Sequence, residues 1–179
     1  MHHRILLQGR PGIGKTTAIR GAVRDLRSEG VTISGFVTDE IRVSGHRVGF
    51  AVTDFDGRTA VLAHVDRPGP LRVGRYGLDL AAFESVALPA LSPPWPGVVV
   101  IDELGPMELR SDSFITAVVG VFEEEQVPVL ASVHAGRHPF TDLLIGRGDT
   151  IVVDIRAENR DLIPAMVIDS LKGGPALGR

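Results

Sequence analysis

An eight-residue segment near the start of the chain, Gly9-Arg10-Pro11-Gly12-Ile13-Gly14-Lys15-Thr16, fits the pattern G-x-x-x-x-G-K-[ST] and comes one residue after the apolar run Ile5-Leu6-Leu7. A strand, a glycine-bearing turn and a helix in that order make a phosphate-binding loop. Its backbone N–H groups point inward, and the helix behind it adds the positive end of its dipole. The glycines let the backbone approach phosphates with no Cβ in the way, while Pro11 stiffens the turn.

Lysine usage sharpens the match. The chain has two lysines, Lys15 and Lys172, against seventeen arginines. A sequence that uses arginine at nearly every basic position has lysine where the motif requires a compact charge between β- and γ-phosphates, a place a planar guanidinium does not fit. The chain is therefore read as binding a nucleoside triphosphate. Thr16 is the expected hydroxyl ligand of Mg²⁺, and Thr17 is counted with the binding segment.

At 179 residues the chain is about one domain long and large enough for a substantial core. Its 44% hydrophobic and 23% charged residues are ordinary for a soluble globular protein. A net charge of -3 gives no electrostatic footprint for nucleic acid, and the absence of cysteine excludes disulfides and thiolate metal sites. No apolar run approaches the roughly 20 residues that span a bilayer. The start, Met1-His2-His3-Arg4, runs into a strand without the apolar region of a signal peptide. A cytoplasmic protein is expected, with His2 and His3 as terminal residues that hold no metal.

Strand and helix patterns alternate along most of the chain. Residues 5–7, 31–38, 98–101, 128–133 and 150–155 read as strands, and 15–28, 78–91, 113–125 and 159–172 as helices. Residues 41–73 differ: the turn signals Ser44-Gly45 and Asp56-Gly57 separate β-rich pieces, which implies inserted antiparallel hairpins. The expected fold is one α/β domain over residues 1–172, a three-layer sandwich with a mostly parallel sheet, followed by a loose tail over 173–179. Trp95, in a proline-rich loop, is expected to pack over the edge of the core.

Asp102-Glu103 directly follows the β-branched run Val98-Val99-Val100-Ile101. Two carboxylates thus stand at the carboxyl end of a central strand, where open α/β sheets bind ligands. Asp102 is suited to orient Mg²⁺, directly or through water, and Glu103 to act as general base on an attacking water. Lys15 and Glu103 are the expected catalytic residues, Thr16 and Asp102 the expected metal ligands. Asp39 and Glu40 end the second strand, either facing the same crevice or solvated in a turn. Arg72, Arg75, Arg137 and Arg147 are candidates for a contact to the triphosphate, the last two from a loop over 135–149 that can close. His134 is a candidate γ-phosphate sensor. Asn159 reads as the N-cap of the last helix, with 158–161 as an alternative contact to the base.

Several further segments occur in a fixed order: Gly35-Phe36-Val37-Thr38-Asp39-Glu40, Arg47-Val48-Gly49-Phe50, Val73-Gly74-Arg75-Tyr76-Gly77 and Asn159-Arg160-Asp161. With the two motifs above, this series resembles the nucleoside-triphosphatase family first described in thermophiles, whose animal members are called cancer-related nucleoside-triphosphatases. The resemblance covers nearly the whole chain. It implies a P-loop fold related to small kinases and RecA-like ATPases, a monomer, and hydrolysis of ATP, GTP and other triphosphates to the diphosphate and phosphate. It also implies two nucleotide segments, the loop and Val99-Val100-Ile101-Asp102-Glu103-Leu104-Gly105-Pro106. Pro106 departs from the polar or basic residue expected there. Two other readings stand beside hydrolysis: a small-molecule or nucleoside kinase using Asp39 or Glu40 on an acceptor hydroxyl, and a nucleotide-dependent switch with negligible turnover, against which Glu103 argues.

Overall fold

A computed structural model describes residues 4–171. Met1, His2, His3, Lys172 and the tail 173–179 lie outside the described residues. One nine-stranded sheet organises the chain. Its parallel part comprises, in spatial order, β2 (Ile33–Val43), β7 (Val98–Leu104), β8 (Val129–Val133), β1 (Arg4–Gln8) and β9 (Thr150–Asp154). From β2 outward the same sheet continues antiparallel through β3 (His46–Asp54), β4 (Thr59–His64), β6 (Tyr76–Leu78) and β5 (Arg72–Val73). The expected hairpins are therefore an extension of the main sheet.

Helices cover both faces, which explains why β1, β7 and β8 are apolar and buried almost throughout. Along β1, Ile5 and Leu7 point to one face and Leu6 to the other. The first face packs on α1 (Lys15–Ser28) and α5 (Ile163–Leu171) through Ile19, Leu26 and Val167. The stripe Ala18, Ile19, Ala22, Val23 and Leu26 has the spacing of one helix face. The second face packs on α2 (Leu80–Ala90), α3 (Asp112–Glu123) and α4 (Pro139–Ile145). At its centre Phe36, Phe83 and Phe114 meet edge to face, with ring centres 5.1–5.8 Å apart. Trp95 packs at the edge of this core and donates to the Leu91 carbonyl at 2.9 Å.

Three local expectations need correction. The second strand does not end near Glu40 but runs to Val43, because its outer half finds a partner in β3. The segment 135–149 is not all loop: α4 forms there, with Pro139 in its first turn and the His138 ring accepting from the Phe140 N–H. The last helix begins at Ile163, so Asn159 is not its N-cap. The Asn159 side chain instead accepts from the Arg156 N–H and donates to the Asp154 carbonyl, bracing the turn after β9.

Candidate active site

The sheet register brings the expected residues to one edge. Gln8, the last residue of β1, pairs with Val133 on one side and Asp154 on the other, and Val37 pairs with Asp102. The loop after β1, the acids of β7, His134 after β8 and Thr38 of β2 thus share the carboxyl edge of the parallel strands.

At the loop, Gly14 takes φ 112°, a left-handed conformation that glycine adopts without steric cost. That turn launches α1, which has no side-chain cap, so its first N–H groups are available to an anion. Pro11, Gly12, Gly14, Lys15, Thr16 and Thr17 line a cleft of about 660 Å³. Gly9 contributes its carbonyl, which accepts from Lys15 Nζ at 3.1 Å. Arg10 is exposed outside the cleft lining, and Ile13 packs into the core beside α1. A second cleft of about 400 Å³ starts from the same loop at Gly14 and Thr17 and reaches Arg160, Asp161 and Pro164.

Between β7 and β8 the register slips from Ile101/Ala131 to Leu104/Val133, so β7 carries one extra residue at Asp102-Glu103. Such irregularities re-aim side chains beside functional sites. Asp102 is 2% exposed. Its Oδ1 accepts from the Ser132 hydroxyl, while its Oδ2 is buried without a partner. Burial pushes this carboxyl up to about 6, with the Glu103 charge adding; the Ser132 and Thr16 hydroxyls and Lys15 oppose the rise. A buried carboxylate oxygen without a donor is costly, and a cation relieves that cost. The orphaned Oδ2, on a carboxyl that the Thr16 hydroxyl also approaches, fits Mg²⁺, which takes one or two protein oxygens and completes its shell with phosphates and water.

Glu103 lies between two basic groups. Its Oε2 is 3.5 Å from Lys15 Nζ and its Oε1 is 3.7 Å from His134 Nδ1. His134 therefore stands against the proposed base. Beyond Glu103 sits an acid that sequence reasoning missed. Glu108, only 4% exposed, has Oε2 2.8 Å from the point where a Gly105 Cβ would lie, and Glu103 Oε1 is 2.9 Å from the same point. Gly105 thus leaves room for two carboxyls to converge. Burial, then the Glu103 charge, pushes Glu108 up to about 8. Only its apolar neighbours Met107 and Leu109 hinted at burial, and acids next to apolar residues are common on surfaces.

Of the second nucleotide segment, Val99, Val100, Ile101 and Leu104 are core residues with no surface to offer a ligand. Asp102, Glu103 and Pro106 do line the cleft. Asp39 and Glu40 line it too, but as mid-strand residues paired with arginines: Asp39 with Arg20 at 2.5 Å, Glu40 with Arg42 and Arg47. None of the four candidate arginines for the triphosphate lines this cleft, and each has partners elsewhere. Arg147 bonds Glu123, Asp149 and the Phe122 carbonyl, near Arg4 at the opposite edge of the sheet. Arg137 pairs with Asp142. Arg72 bonds the carbonyls of Arg67 and Arg75, and Arg75 bonds the Arg47 carbonyl. The arginines lining the cleft are Arg42 and Arg47, which nothing in the sequence distinguished from the other fifteen.

A family model described as NTPase matches residues 4–168. The chain belongs to the nucleoside-triphosphatase family. It is 42% identical over 164 residues to the nucleoside-triphosphatase THEP1 of Thermofilum pendens, covering 89% of this chain and 90% of the relative. Its identity to the human cancer-related nucleoside-triphosphatase is 37%, covering 93% and 96%. The crystal structure of THEP1 from Aquifex aeolicus superposes with a TM-score of 0.84 at 28% identity, covering 94% of this chain and 99% of that one. The fold is accordingly that of a P-loop NTPase, and the reaction of this nucleoside-triphosphatase is NTP hydrolysis. No described helix is long and apolar enough to cross a membrane.

Proposed function

We propose that this nucleoside-triphosphatase binds Mg²⁺ and a nucleoside triphosphate across the loop and hydrolyses it with Lys15 and Glu103. The observation that carries the reading is the 3.5 Å approach of Lys15 Nζ to Glu103 Oε2, beside the partnerless Asp102 Oδ2. The loop amides and the start of α1 receive the phosphates, and Lys15 bridges β- and γ-oxygens. Thr17 lines both clefts, so the nucleoside extends toward Arg160 while the γ-phosphate faces Glu103. Thr16 and Asp102 would hold Mg²⁺, which when bound neutralises phosphate charge. Glu103 then takes a proton from a water that attacks the γ-phosphorus; the new P–O bond forms as the β–γ bridging bond breaks and the diphosphate leaves.

The same reading takes the chain as one domain, monomeric and cytoplasmic, acting on free nucleotides rather than nucleic acid. The test is phosphate release from ATP, GTP, CTP and UTP, with Mg²⁺ and with chelator, in the absence of any acceptor. Release from several triphosphates that disappears with chelator supports the reading. Release independent of Mg²⁺, or none without an added acceptor, overturns it in favour of a different metal chemistry or a kinase.

A further inference from the structure

The reaction above uses the half of the cleft between the loop, Asp102 and Glu103. The other half has chemistry of its own. Beyond Val37, which pairs with Asp102, β2 has no further partner on β7 and continues as a ribbon with β3. Across that ribbon Glu40 stands opposite Phe50, and Arg42 opposite Arg47, so these four side chains share a face. All four line the cleft, with Tyr76 behind them.

The charges on this face do not cancel. Glu40 is one carboxylate shared by two guanidiniums, accepting from Arg42 Nε at 2.9 Å and Nη2 at 2.5 Å and from Arg47 Nη1 at 2.7 Å. Arg42 Nη1 donates to the Gly45 carbonyl at 2.8 Å, so Arg42 contributes its charge while Arg47 has the N–H groups to spare. Asp39 also lines the cleft, but its carboxylate is paired with Arg20 at 2.5 Å, so that pair adds no net charge. Glu108, which also lines the cleft, is 4% exposed, and its burial and the charge of Glu103 favour its neutral form.

Arg47 is also held in place. Its Nε donates to the Tyr76 hydroxyl at 3.0 Å, and its guanidinium carbon lies 5.2 Å from the Phe50 ring centre and 5.9 Å from that of Tyr76. Its Nη2 has no hydrogen bond among the described residues, although the side chain is 42% exposed. A guanidinium fixed on an aromatic wall with N–H groups to spare is pre-ordered for a phosphate oxygen pair.

We propose that the β2–β3 half of the cleft is a subsite for a second ligand carrying a phosphate dianion, gripped by Arg47 with the Arg42 charge beside it and bound together with the nucleotide. The separation of the two ligands rests on the nucleotide placement given above. Because the nucleoside leaves the loop toward Arg160, the arginine subsite lies on the γ-phosphate side. It therefore takes either released inorganic phosphate or the phosphate of an organic molecule brought up to the nucleotide.

The test is calorimetric titration of the full chain, first with Mg²⁺ and a β,γ-imido ATP analogue, then with inorganic phosphate or with AMP on the saturated protein. Saturable binding of either in the second step is expected. Tighter phosphate marks a product site, and tighter AMP marks an organic second ligand. Arg47→Lys should weaken the second step by about tenfold, the loss of one charge-assisted contact, and Arg42→Gln by about as much through the lost positive charge, while Arg58→Gln in the β3–β4 turn leaves it unchanged. Absence of a second binding step, or affinities unmoved in both cleft variants, overturns the subsite. Failure of the analogue itself in the first step counts against the nucleotide reading instead; the phosphate titration is then read on the free protein, with the same variants deciding it.

Discussion

Lys15 Nζ and Glu103 Oε2 lie 3.5 Å apart, so the phosphate-binding cation and the candidate base form one ion pair across the cleft. Lys15 is 7% exposed and has its second partner in the Gly9 carbonyl. Lys15→Ala should lower kcat/KM for phosphate release by about a hundredfold, the loss of charge-assisted contacts made most strongly to the transferring phosphate. Lys15→Arg should not rescue it, because a planar fork does not fit between the β- and γ-oxygens. Steady-state kinetics on both variants check this; full activity in Lys15→Arg contradicts it.

Asp102 gives a prediction in which stability and activity move apart. Its carboxyl is raised to about 6 by burial, so the charged form costs folding energy at neutral pH. Asp102→Asn removes that cost while removing the cation's ligand. The variant, without metal, should melt at or above the parent temperature at pH 7.5, yet need far more Mg²⁺ for half-maximal phosphate release. Thermal melts and a Mg²⁺ titration read the two effects separately.

Glu108 ties stability to pH. A carboxyl raised in the folded state to about 8 binds its proton where the unfolded chain has released it. Its contribution is therefore complete below the ordinary glutamate range and is lost as pH climbs from there through about 8. The slope cannot exceed about 1.4 kcal/mol per pH unit for one group. Metal-free protein should unfold at lower urea at pH 8.5 than at pH 6.5, and Glu108→Gln, which keeps a neutral polar group, should flatten that difference. An equal slope in parent and variant contradicts the assignment.

The core supplies a control that does not involve the site. Phe114 is fully buried and meets both Phe36 and Phe83. Phe114→Ala should cost about 3–5 kcal/mol by urea denaturation, through lost burial and the cavity left behind.

What was legible in the sequence followed from local rules. The loop from Gly9 to Thr16 and the acids after residues 98–101 were readable because strand, turn and helix patterns are short-range, and the sheet then brought both to one edge. The arginines were not. Arg72, Arg75, Arg137 and Arg147 looked suitable by position along the chain, but in the structure they pair outside the cleft lining, with partners the sequence does not reveal. Arg42 and Arg47 face the cleft only because β2 continues past Thr38 and pairs with β3, a tertiary outcome that extends a strand beyond its expected end. Glu108 was invisible for a related reason: the turn at Gly105 folds it under Glu103. Seven-residue α4 is too short to show helical periodicity.

The central claim is that Glu103 activates the attacking water. Single-turnover phosphate release from Mg²⁺-ATP, measured beside nucleotide binding for Glu103→Gln and the parent, tests it most directly. Binding retained with hydrolysis slowed by about two to four orders of magnitude is the predicted result. Hydrolysis near the parental rate would show that the base is another group.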